Sequence, residues 1–255
     1  MSEKFDFSIL SADDQGTIQL FLGMVEPFYW PESDYHNLYE HVAEGFSEAM
    51  RLCDVAEFAG HDPNRLVVAL AILGHDPAFN YDILDEMDEK WETKEAFQAE
   101  ISGQLLRSLG IDEDQIGQVK KCIIATHVDA TCNSIEEEIV RMADVSNVSN
   151  EYENFVLKSC EFFNECVARG ADLDLDRFKE ISAIVLGKYF DAIKKLVDLD
   201  KNVFGNSFVC RGRANIEQFD KETPETILQL LGRHAVRFQG TLSRTTSTED
   251  TTLQP

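Results

Sequence analysis

Arg65–Pro77 reads RLVVALAILGHDP, an apolar run that leads into a histidine, an aspartate and then a proline. Every residue from Leu66 to Leu73 is apolar, and a helix that is apolar all round is a buried one. Free charge is costly there, so the imidazole of His75 and the carboxylate of Asp76 must be paired, hydrogen-bonded or bound to a metal. Pro77 disfavours helical backbone at Asp76. The helix should stop there, releasing both side chains from the roughly 100° divergence of helical neighbours, so that both can reach one cation. The competing reading is a plain helix C-terminus with a favourable histidine. The rest of the chain has to decide between them.

Upstream, Ser33 or Asp34 is placed to cap a helix running through YHNLYEHVAEGFSEAMRL to about Phe58. It carries His36 and His41, roughly 140° apart on a regular helix. One of the two can therefore be a ligand while the other faces a substrate. Residues 1–32 hold a first helix near Asp13–Val25, with Ile18, Leu20, Phe21 and Met24 on its apolar side, and an aromatic connector between Pro27 and Pro31.

Downstream, residues 78–91 are dense in acids and aromatics, and density alone gives none of them a metal role. The stripe Phe97, Ile101, Leu105 and Leu109 predicts a helix ending at Gly110. Asp112 or Asp114 opens another that presents His127 at its end. The next helix sets Asp144 among Ile139, Val140, Ala143 and Val145, a costly position for a carboxylate unless it is satisfied. Helices follow at 152–169 and 175–197, then a less regular stretch at 198–223 with Gly205 and Gly212, and a last helix at 224–238. The polar tail, 241–255, is expected to be disordered. No alternating pattern persists, so the chain reads as all-α. Residues 1–32 form an N-terminal helix and connector, 33–150 the core, and 151–240 a helical extension packed on it.

The 255 residues are 44% hydrophobic and 27% charged, a soluble globular balance. No run of eighteen apolar residues and no basic-then-apolar leader appear, which predicts neither membrane span nor secretory signal. A net charge of −24 repels phosphate backbones, so polynucleotide binding is not expected. Six cysteines without a CxxC pair suit reduced thiols in a cytoplasmic protein.

In chain order there stand His36 or His41, His75–Asp76, His127 and Asp144, each on or at the end of a separate predicted helix. Two imidazoles with two carboxylates suit a divalent ion with positions left for water and a phosphate oxygen. This order resembles the signature of the HD-domain metal-dependent phosphohydrolases over about Tyr35–Val148. YHNLYEHV is similar to the element that opens small members of that family. LAILGHDPAFNYD is similar to their buried helix and the aromatic segment after it. KEAFQAEISGQLLRSLG resembles a helix with Glu95 at its acidic position and Gln98 where serine is usual, while IIATHV and VRMADVSNV match the last two elements. The family spaces its first two histidines by four, and here they are five apart.

The resemblance implies an HD helical bundle that holds a divalent ion (Mn, Mg, Fe, Co, Ni or Zn) with His41, His75, Asp76 and Asp144. It implies a substrate-facing or proton-transferring His36. Asp76 would bridge to a second ion if one is present, with His127 as the extra ligand or else a phosphate contact, and Glu95 would orient water. Lys120, Lys121 and Arg141 are candidate phosphate contacts with a surface role as the alternative. The expected substrate is a small phosphorylated molecule, first a nucleoside mono- or triphosphate, second a cyclic nucleotide or small phosphodiester. A non-catalytic nucleotide-binding protein and a di-iron oxygenase are the rivals. Oligomeric state is left open, a homo-oligomer included.

Overall fold

In the computed structural model, which describes residues 4–29, 33–77, 91–192 and 208–242, the apolar run is helix α3 (Arg65–Leu73), numbered in a series with α1 (Ala12–Val25) and α2 (Ala43–Phe58). Asn64 caps α3 by accepting the Val67 N–H, and Gly74 ends it. Val67 to Leu73 have no exposed surface. Four helices account for that: α1, α2, α5 (Glu113–Ile124) and α6 (Ile135–Asp144) all pack on α3, while α4 (Lys94–Ser108) packs on α5 and α1. Side-chain caps from Thr93, Asp112 and Ser134 open α4, α5 and α6, each satisfying an orphan backbone donor. The chain is all-α, with no strand among the described residues.

The extension comprises α7 (Tyr152–Ala168), α8 (Leu175–Ala192), α9 (Phe208–Lys221), α10 (Pro224–Leu231) and the single turn α11 (Gln239–Leu242). Its buried side chains, Phe163, Phe178, Ile227 and Leu242 among them, belong to the same continuous apolar cluster as Ile18, Leu70 and Val140. No described helix is long and apolar enough to cross a membrane. All six cysteines are unpaired thiols.

Five expectations need correction. The second helix does not start at Ser33 or Asp34. It starts at Leu38 behind an Asn37 cap, with one π turn over Leu38–Val42 that leads into α2. The two supposed caps are used elsewhere, Ser33 donating to Glu165 while Asp34 accepts from Arg237 and Asn164. The stretch 198–223 is helical over α9, because Gly212 is a packing position and not a breaker. A Cβ there would stand 2.6 Å from the Phe190 ring and 3.1 Å from Ser149 Oγ. Leu20 is 63% exposed, and Ile18, Phe21 and Val25 form the buried face of α1. The last helix stops at Leu231, since Gly232 adopts φ +52° and a 3₁₀ turn follows to Arg237. The expectations for 30–32, 78–90, 193–207 and 243–255 lie outside the described residues, and the described start of the expected tail, 241–242, is the end of α11 instead.

Candidate metal centre

His41, His75, Asp76 and Asp144 come together although the π turn before α2, the loop after α3 and the end of α6 supply them from distant parts of the chain. Four ligand atoms, one from each, all lie within 4.8 Å of one another. Nε2 of His75 stands 3.0 Å from Asp76 Oδ2 and 3.1 Å from Asp144 Oδ1. Nε2 of His41 stands 3.3 Å from the same Asp144 oxygen and 3.6 Å from Asp76 Oδ2.

The helix end produces this convergence. Beyond Gly74 the backbone leaves the helix, and His75 turns its Nδ1–H back to donate to the Ile72 carbonyl at 2.7 Å. A carbonyl can only accept, so this bond fixes the tautomer and directs Nε2 at the carboxylates. Two contacts hold the loop in place: Tyr29 donates to the Leu73 carbonyl at 2.8 Å and Ser102 to the Gly74 carbonyl at 2.8 Å. A Cβ at residue 74 would meet Ser102 Oγ at 2.5 Å, so glycine is required for that approach.

Asp76 divides its oxygens. Oδ2 faces the imidazoles, while Oδ1 accepts from Lys94 Nζ at 3.0 Å and from Gln98 Nε2 at 3.3 Å. Burial alone would neutralise Asp76, but His75, Lys94 and His41 outweigh it and hold its pKa well below the carboxylate range. Asp144 is lowered against burial by His75 and His41. Burial likewise works against charge on His75, yet Asp76 and Asp144 raise it well above the usual histidine value. His41 is raised less strongly, by Asp144 and Asp76 against burial. Two adjacent carboxylates thus demand positive charge at one point. That demand, and the buried Nε2 of His41 that completes no hydrogen bond, suit a divalent ion held by two nitrogens and two oxygens.

The π turn explains the five-residue histidine spacing. Val42 donates to the Asn37 carbonyl at 3.3 Å, a bond across five residues, so the turn takes in one more residue than an α turn. His36 precedes the helix and His41 lies inside the turn, with ring centroids 5.6 Å apart. The 140° separation of a regular helix therefore does not apply. His36 Nδ1 meets Glu165 Oε1 at 2.7 Å, and the N–H groups of Tyr35 and His36 donate to Glu165 Oε2. Burial lowers the His36 pKa despite that carboxylate. Glu165, paired with Arg169 at 2.7 Å, is depressed to about 2, His36 and Ser33 prevailing over burial.

Asp76 and Asp144 border a cavity of about 350 Å³ that His36, Glu95, Lys94 and Tyr35 also line. His127 does not line it; its Nδ1 accepts the Asp129 N–H at 3.3 Å. Lys120, Lys121 and Arg141 do not line it either. Lys120 pairs with Glu100. Arg141 has no exposed surface, donates to the carbonyls of Ala125, His127, Val128 and Ala130, and lies 4.4 Å from the Tyr189 ring centroid. It organises the loop after α5. Lys94 and Glu165 are contributors that motif reading misses. The only sequence signal for Lys94 is its position four residues before Gln98 on one helical face.

No family model, curated protein or solved structure matches the chain.

Proposed function

We propose that the chain is an HD-type, divalent-metal-dependent phosphohydrolase that cleaves a phosphate ester or anhydride. The observation that carries this is the buried quartet, whose four donor atoms lie within 4.8 Å and include a His41 nitrogen with no completed hydrogen bond. His41, His75, Asp76 and Asp144 would hold the ion. A bound divalent ion supplies Lewis-acid polarisation of the phosphoryl group and a water of lowered pKa.

The chain's own groups complete the reading. Lys94, ion-paired with Asp76 and lining the cavity, adds a cation beside the position a phosphoryl group would take. His36 lines the same cavity and is oriented by Glu165, which suits proton transfer to a leaving oxygen. Glu95 lines it from the first turn of α4 and is the candidate to orient water. A scaffold with no ion to hold would gain nothing from burying two carboxylates and two imidazoles together.

The test is metal analysis of the purified chain combined with phosphate and pyrophosphate release from nucleoside mono- and triphosphates, cyclic nucleotides, p-nitrophenyl phosphate and its diester. Near-stoichiometric divalent metal with turnover of at least one substrate is expected. Tight nucleotide binding without turnover, across Mn, Mg, Fe, Co, Ni and Zn, would instead assign a binding protein.

A further inference from the structure

The cavity beside the quartet is lined in two unlike ways. Asp76, Asp144, Lys94 and Glu95 make its polar end, where the quartet borders it. From α7, α8 and α9 come Phe155, Phe162, Phe178, Val185, Leu186 and Phe219, with Lys158, Lys179 and Asp220 among them, a lining that is mainly apolar. The Phe162 ring stands 5.1 Å from Tyr35 and 5.9 Å from Phe178, so aromatic surface continues from the polar end into the apolar one. A volume of about 350 Å³ lies in the range of roughly 300–1,000 Å³ typical of small-molecule sites.

Charge restricts what can enter. The lining holds the lysines 94, 158 and 179 against four carboxylates, Asp76, Glu95, Asp144 and Asp220. All three lysines are engaged: Lys94 with Asp76, Lys158 with Glu161, and Lys179 with the Glu222 carbonyl at 2.6 Å. With a divalent ion's two charges added, the lining among the described residues carries about one net positive charge, well short of the roughly four negative charges of a triphosphate. One phosphoryl group at the quartet is what this balance admits. The wall beyond it offers mainly dispersion and apolar burial, which discriminate poorly among hydrogen-bonding base edges and reward aliphatic or aromatic surface.

We infer that the substrate is an amphiphilic phosphomonoester, a single phosphate on an apolar alcohol whose hydrocarbon body lies against α7, α8 and α9. The inference rests on the phosphohydrolase reading of the quartet and specifies what the phosphate is attached to.

Titration calorimetry of the full Mn²⁺-loaded chain with methyl-, butyl- and octylphosphonate, and with an adenosine 5′-phosphonate, tests it without turnover. Each methylene buried should tighten binding about fourfold, giving about 60-fold between methyl and butyl. Val185→Asp, and Leu186→Asn as a second variant, should each weaken octylphosphonate at least about tenfold and leave methylphosphonate unchanged. Equal affinity at every chain length, or tighter binding of the adenosine compound than of octylphosphonate, overturns the inference. Release of phosphate from the matching alkyl phosphates is measured separately. The chain-length trend without turnover removes the hydrolytic reading and keeps the amphiphile, whereas nucleotide turnover without the trend does the reverse.

Discussion

Glu165 and His36, 129 residues apart in sequence, meet at 2.7 Å between Oε1 and Nδ1. The same carboxylate receives the Ser33 hydroxyl and the Tyr35 and His36 amides, so one residue of α7 holds the segment that leads into the π turn carrying His41. Glu165→Ala should lower kcat about 10- to 100-fold, the usual cost of losing an orienting partner, with metal content unchanged. Glu165→Gln, which can still accept from His36, should recover part of the rate. Metal stoichiometry and steady-state kinetics on both variants check this.

Removing a ligand should act differently. His75→Ala and Asp144→Asn are each expected to weaken divalent binding at least about 100-fold, more than loss of an outer partner would cause, and to abolish turnover. Equilibrium dialysis with Mn²⁺ reads the effect. Retained stoichiometric metal in both variants would refute the quartet.

The two groups on Asp76 Oδ1 should separate from each other. Gln98→Leu removes a neutral orienting donor and should weaken metal binding about tenfold. Lys94→Met removes a cation facing the site, so metal binding should hold or tighten while KM for the phosphorylated substrate rises about tenfold, the loss of one charge-assisted contact. A KM and kcat comparison with dialysis on both variants is decisive.

Burial opposes charge on both imidazoles, but Asp76 and Asp144 raise His75 well above 6.5 and raise His41 too, while the same contacts depress the two aspartates below 3.8. An imidazole more basic in the folded than in the unfolded chain stabilises fully below 6.5 and loses that contribution as pH climbs through its raised value. A depressed carboxylate stabilises above 3.8 and loses its contribution as pH falls through its lowered value. The metal-free chain should therefore have its highest Tm between those limits and decline on both sides. The loaded chain should keep its Tm above pH 6.5, because the ion replaces the protons. Calorimetry in two buffers of different ionisation enthalpy should show roughly one to two protons released per ion.

Gly212→Ala forces a methyl to within 2.6 Å of the Phe190 ring, and overpacking of this kind costs about 1–3 kcal/mol. A fall in urea midpoint without a change in slope is expected.

The residues alone left His36 and His41 as alternatives and only the family resemblance favoured His41, whereas the other three of the quartet were legible from local signals, His75–Asp76 after an eight-residue apolar run and Asp144 among apolar neighbours. Lys94, Gln98 and Glu165 were not, since charged or amide residues on helix faces are ordinarily solvated and only the tertiary fold turns these inward. The π turn was hidden for another reason: a one-residue slip in hydrogen bonding leaves no mark on composition. Gly212 was misread because close packing and chain breaking call for the same residue, and only the position of the Phe190 ring distinguishes them.

The ion's candidate donors all precede residue 145, whereas the apolar wall of the cavity comes from helices after residue 151. Under the proposed phosphohydrolase reading, the end that reacts and the end that selects are separable inheritances. On that reading a descendant could exchange wall residues such as Val185 or Phe219 and turn to a different molecule while keeping the same chemistry.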